Sequence, residues 1–200
     1  MLRRLSIWVA LVLSISLILM GCGATQPSTG TGDTSTQTGG ATQTPEAHGT
    51  DIEITSYVIA DGGTYFYLKP VKVKVHFDST PTLEDKIKVA LSLLASPTLA
   101  TATTQVPLPE GTKVLGVEVT GSVATVNFSK DIMKNPGVGA EGEALALCSI
   151  PLTAEQFGIE KVYVLIEGQK PSESNGYIDF WGHIGFYEQP LTAQGCKDTP

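Results

Sequence analysis

Apolar positions change their spacing several times along the chain, and each spacing predicts a different element. Leu5 to Met20 run without a charged residue, interrupted only by Ser6, Ser14 and Ser16. Gly23 to Thr50 then hold no large apolar side chain at all. Beyond Asp51, two β-rich runs flank Asp61-Gly62-Gly63. In the second, Val71, Val73, Val75 and Phe77 alternate with Lys72, Lys74 and His76, which predicts a half-buried strand with a basic outer face. Leu83, Ile87, Ala90, Leu91 and Leu94 recur at helical spacing, with Glu84, Asp85, Lys86 and Lys88 on the other side. This predicts an amphipathic helix with Pro81 at its first position and its end near Ser96-Pro97. Leu99 to Pro109 show no period and read as a loop.

The next pattern is a β-hairpin. Leu115, Val117 and Val119 share one face, Ala124, Val126 and Phe128 share a face of the following run, and Thr120-Gly121-Ser122 supply the turn. A second helix is predicted from about Ala140, with Ala144, Leu145, Leu147, Cys148 and Ile150 on a broad apolar side. Pro151 lacks an N–H and crowds the preceding turn, so this helix is expected to kink or break there. Lys161 to Gly168 is apolar on both faces, the pattern of a central strand covered on both sides. Along Tyr177 to Glu188, alternation puts Ile178, Phe180, Ile184 and Phe186 on one face, which reads as core. Tyr177, Asp179, Trp181, His183 and Tyr187 fall on the other, which is either a terminal strand whose aromatics cover a sheet edge or a candidate binding face for sugar or peptide.

The N-terminal run gains meaning from its flanks. Arg3 and Arg4 precede it and Leu19-Met20-Gly21-Cys22 end it, which is the layout of a signal peptide and resembles the bacterial lipobox. In that motif the cysteine thiol takes a diacylglycerol and a peptidase cuts before it. A thiol suits the step because its thiolate is a strong nucleophile. Cys22 is therefore expected to be the lipidated first residue of the mature chain, with the membrane as a partner through its acyl chains. The polar stretch that follows cannot repay its ordering entropy and reads as a disordered tether reaching on the order of 30 Å. His48 lies within it as a solvated side chain. The organisation expected is residues 1–21 as signal peptide, 22–50 as lipid-anchored linker, 51–190 as one folded domain and 191–200 as a flexible tail.

Charge narrows the function. The chain carries −7, and losing Arg3 and Arg4 with the signal takes it to −9 and leaves no arginine. With scattered lysines and an acidic balance, a nucleic-acid partner is excluded. A hydrolase needs a nucleophile with a base, facing carboxylates or a metal set. Asp179 with His183 and Glu141 with Glu143 are the nearest approximations, but Glu141 and Glu143 are two apart on a helix and read as solvated charges. No histidine is spaced to serve Cys148, and His76 has no companion at ligand spacing. No catalytic residue, cofactor or metal site is expected. Cys148 and Cys196 leave two readings open: a disulfide, or a small core residue on a helix and a cysteine in a loose tail. Spacing cannot supply the geometry of a bridge, so a Cys148–Cys196 disulfide stays open beside the second reading, to which the pattern leans.

Taken in order, Ala90 to Pro97, Val106 to Asp131, Glu143 to Ile150 and Lys161 to Gln169 resemble the GerMN domain of bacterial sporulation and germination lipoproteins. The resemblance covers about Thr64 to Tyr187. It implies an α/β module of the α+β kind, a small mixed sheet with two main helices packed on it, related in shape to the ring-building motifs of secretion-type machines. It also implies a non-enzymatic role in envelope assembly, with envelope proteins as partners. Peptidoglycan binding through the aromatic strand is the alternative.

Overall fold

The computed structural model describes residues 49–178, 181–186 and 188–197. Strand β1 (Thr50–Asp61) and strand β2 (Phe66–Phe77) pair antiparallel over their whole length. Their turn closes with Gly62 N–H donating to Tyr65 O at 2.9 Å. Gly63 sits at φ +90° inside it, a conformation that costs glycine little, and its N–H donates to Asp61 Oδ1. The predicted basic face on β2 is present but neutralised across the ladder. Lys72 pairs with Glu53 at 2.7 Å, and Lys74 and His76 reach Asp51 at 2.8 and 2.7 Å. Lys74 and then His76 hold the Asp51 carboxyl below its ordinary range. All these groups are exposed, so they set register and solubility more than stability.

Helix α1 (Leu83–Leu93) starts two residues later than the expected first position at Pro81. Thr82 is the N-cap and closes a capping box with Asp85, each side chain accepting from the other's backbone N–H. Those Thr82 bonds, the backbone N–H first, lower the Asp85 carboxyl below its usual range. Ile87, Ala90, Leu91 and Leu94 are buried as the spacing predicts, whereas Leu83 is exposed. Inside the loop from Leu99 to Pro109 lies a short strand, β3 (Thr104–Gln105), which pairs with Ile59 and Ala60.

Strands β4 (Val114–Thr120) and β5 (Val123–Phe128) form the predicted hairpin, with one correction. The register shifts between Val114 and Gly116, so Leu115 is the extra residue of a bulge and turns outward at 42% exposure while Val114 turns in. Helix α2 (Gly139–Glu155) then crosses back to strand β6 (Lys161–Ile166), which pairs parallel with β5. Parallel neighbours require such a crossover. The structure thus has two three-stranded sheets, β2-β1-β3 and β4-β5-β6, in place of the single small sheet expected.

Three further expectations change. Pro151 neither breaks nor ends α2, which continues for another turn. The lost backbone bond is offset because Ile150, Pro151 and Ala154 are all buried there. Strand β6 is not covered on both faces: Val162, Val164 and Ile166 are buried while Tyr163 between them is exposed. The tail expected to be loose is anchored from Leu191 to Lys197. Leu191 pairs with Val162, and helix α3 (Ala193–Lys197) carries a buried Ala193, a disulfide at Cys196 and a Lys197–Glu155 ion pair at 2.7 Å.

One hydrophobic core joins these pieces. Ile59 from the first sheet, Val126, Phe128 and Val164 from the second, Ile87 and Leu91 from α1, and Ile150 and Ala154 from α2 pack together with Trp181 and Phe186.

Candidate functional site

Among the described residues, the most enclosed carboxylate lies on α2. Glu143 is fully buried, contrary to its reading as a solvated helix charge. Its Oε2 accepts from the backbone N–H groups of His183 at 3.2 Å and Ile184 at 2.9 Å, and its Oε1 lies 3.2 Å from His183 Nδ1. The helix supplies a rigid base, and the carboxylate spends both oxygens on an irregular segment that has no ladder of its own to satisfy those donors. The imidazole itself is 60% exposed. Glu141, one turn-face away, caps the first sheet instead by accepting from Phe66 N–H at 3.1 Å. Expected chemistry follows from this bonding. Glu143→Gln keeps the shape but turns an amide N–H₂ toward donors, so it should cost about 1–3 kcal/mol. Faster amide exchange at His183 and Ile184, with α2 itself unchanged, is the measurement that checks it.

The candidate binding face does not assemble as alternation predicts. No strand occurs among the described residues between Tyr177 and Glu188. Trp181 is fully buried, and its Nε1–H donates to Ile132 O at 2.8 Å. It belongs to the core rather than to a sugar-stacking surface. Tyr177 is half-buried and packs against the same core, while His183 is exposed and tied to Glu143. Asp179 and Tyr187 lie outside the described residues, as does Cys22. Period-two reasoning fails here because a chain that runs irregularly, held by Glu143 and by Asn135 Nδ2–H donating to Trp181 O at 2.8 Å, does not alternate its faces.

Cys148 on α2 and Cys196 on α3 are bonded, with 5.5 Å between their Cα atoms, so of the two open readings the structure holds the disulfide and not the loose tail. The sequence put one on a helix and the other 48 residues away; only the return of the chain along β6 and Leu191 brings them together.

Two shallow clefts lie elsewhere, along the loop that had no period. One, of about 640 Å³, is lined by Asp61, Phe66, Thr101, Thr104, Gln105 and Val138 among others. The other, of about 620 Å³, is lined by Gln105, Pro109, Glu110, Lys134 and Asn135 among others. Neither contains a residue of the predicted face. Among the described residues no group of three or more His, Cys, Asp or Glu is placed to hold a metal ion, and no helix is long and apolar enough to cross a membrane.

Comparison with known proteins gives this arrangement a context. Residues 55–172 match the profile of a family named Germane, described as sporulation and spore germination. The first GerMN domain of the sporulation protein GerM from Bacillus subtilis is similar in structure, with a TM-score of 0.52 and 21% identity over 72% of this chain and 98% of that one. The tandem GerMN domains of the same protein give the same score and identity, over 72% of this chain and 47% of the tandem. No curated protein sequence matches the chain.

Proposed function

Because the chain belongs to the Germane family of sporulation and spore germination, we propose that it is a lipid-anchored extracytoplasmic protein. Its single GerMN domain acts as a non-catalytic docking module in assembly of the cell envelope. The observation that carries the location is the Cys148–Cys196 disulfide, since such bonds persist outside the reducing cytoplasm. The sequence motif ending at Cys22 supports the same side of the membrane and supplies the anchor. Support for docking without catalysis comes from Glu143, whose oxygens are engaged by loop backbone and by His183 rather than directed at a cleft. Envelope proteins are the partners on this reading.

Cell fractionation of the tagged full chain beside Cys22→Ala tests it. The parent should sediment with membranes and crosslink to discrete envelope proteins through the folded domain, and Cys22→Ala should be released from the membrane. A variant that stays membrane-bound would remove the lipid anchor from the proposal. Recovery of muropeptides with no protein partner would replace docking by wall binding.

A further inference from the structure

The two shallow clefts are bordered by the same two stretches of chain. Residues 101–105 line the first and residues between 105 and 111 the second, and the stretch from Lys134 to Val138 passes from one to the other. Gln105 belongs to both, so the clefts join there as one trough past the end of β3. Buried Ile59 lies under the first half and buried Leu108 under the second.

Polar capacity in the trough is left over. Gln105 is exposed, and its side-chain amide has no partner among the described residues. Val106, the residue after β3, has neither its N–H nor its C=O bonded among them. Pro107 has no N–H, and Leu108 N–H is given to Leu94 O at 3.0 Å. An extended chain can therefore pair with this edge over one residue and must gain the rest from its side chains.

Charge selects those side chains. Asp61 lies in the first cleft and Glu110 in the second, both exposed. Asp61 Oδ1 accepts from Gly63 N–H at 2.7 Å, and neither carboxylate has a cationic partner among the described residues. Lys134, the cation that lines the trough, is held by Asp131 at 2.7 Å. Two carboxylates without counter-charge thus stand on either side of the Gln105 junction. They disfavour an acidic occupant, including a second copy of this chain with its net charge of −7.

We propose that this trough receives an extended segment of a partner protein that carries a lysine or arginine for each of Asp61 and Glu110, with small apolar side chains between them over Ile59 and Leu108. The proposal rests on the docking reading above and names the partner's chemistry. Val106 and the Gln105 amide fix the segment's register, and the two carboxylates choose it over neutral and acidic chains.

A phage-displayed nonapeptide library panned on the full chain in detergent tests it. Selected peptides should hold two lysines or arginines separated by apolar residues, and should bind Asp61→Asn/Glu110→Gln about tenfold more weakly. Asn keeps the acceptor for Gly63 N–H, so the thermal midpoint should match the parent's. Gln105→Arg, which sets a cation at the junction, should abolish binding. Glu118→Gln/Glu173→Gln, which removes the same charge away from the trough, should bind as the parent does. Peptides without paired cations, an equal loss in both double variants, or a library that yields no binder would each overturn the proposal. Crosslinks from the tagged chain to discrete envelope proteins would then still support docking through another surface, whereas their absence would remove docking itself.

Discussion

Trp181→Ala is expected to lower the unfolding free energy by about 3–5 kcal/mol, as truncation of a fully buried large aromatic does. The indole is 0% exposed, and its centroid lies 6.4 Å from that of Phe186 at a tilt of 49°. Removing it opens a cavity in a close-packed core, whose other members include the fully buried Phe128, Ile132 and Ile150. It also strands Ile132 O, which accepts the indole N–H. For a domain of this size the midpoint of thermal unfolding should fall by on the order of 10 °C. Trp181→Phe, which keeps much of the volume and loses only the donor, should fall between the variant and the parent. A urea titration decides the matter. A midpoint unchanged in Trp181→Ala, accompanied by loss of a wall ligand, would return this residue to a surface role.

Cys148→Ser is the second large effect. Closing a 48-residue separation removes enough freedom from the unfolded chain to stabilise the domain by about 4 kcal/mol in the chain-entropy model. Domains of this kind have total stabilities of roughly 5–15 kcal/mol, so the variant should remain folded but with a much reduced margin. The check is a pair of denaturation curves, oxidised and reduced, for the parent. They should differ by about the same amount as the parent and Cys148→Ser do under oxidising conditions. Equal stabilities with and without reductant would mean that the unfolded chain is already compact between these positions, or that folding strains the bond.

Sequence patterning misassigns the first of these residues and leaves the pairing of the second open, and the reason is the same for both. Periodicity reports which side chains share a face of one element. It read the β4–β5 hairpin, the buried side of α1 and the alternation of β2 correctly, because each of those elements is set by its own spacing and by a local turn or cap. The family resemblance, resting on the order of such elements, was legible for the same reason. Leu115 escaped because a bulge shifts the face without changing composition. Pro151 escaped because a helix propensity of a few kcal/mol yields to burial on both sides of the proline. The candidate site was the least legible part. Glu143 and His183 are 40 residues apart, and nothing in a helical acidic residue distinguishes one bound for solvent from one that will meet two unpaired backbone donors.

The sequence by itself determined the acidic, arginine-poor character beyond Arg4, the polar break after Met20, the amphipathic helix α1 and the two hairpins, all of which follow from interactions within about a dozen residues. Only the tertiary structure decided that the strands form two sheets, that Trp181 faces the core, that Glu143 is buried and that Cys148 meets Cys196. Those outcomes depend on how the chain returns along β6 after α2. The free energy of such long-range contacts comes from surfaces removed from water together, and no single segment carries the pattern of a surface it has not yet met.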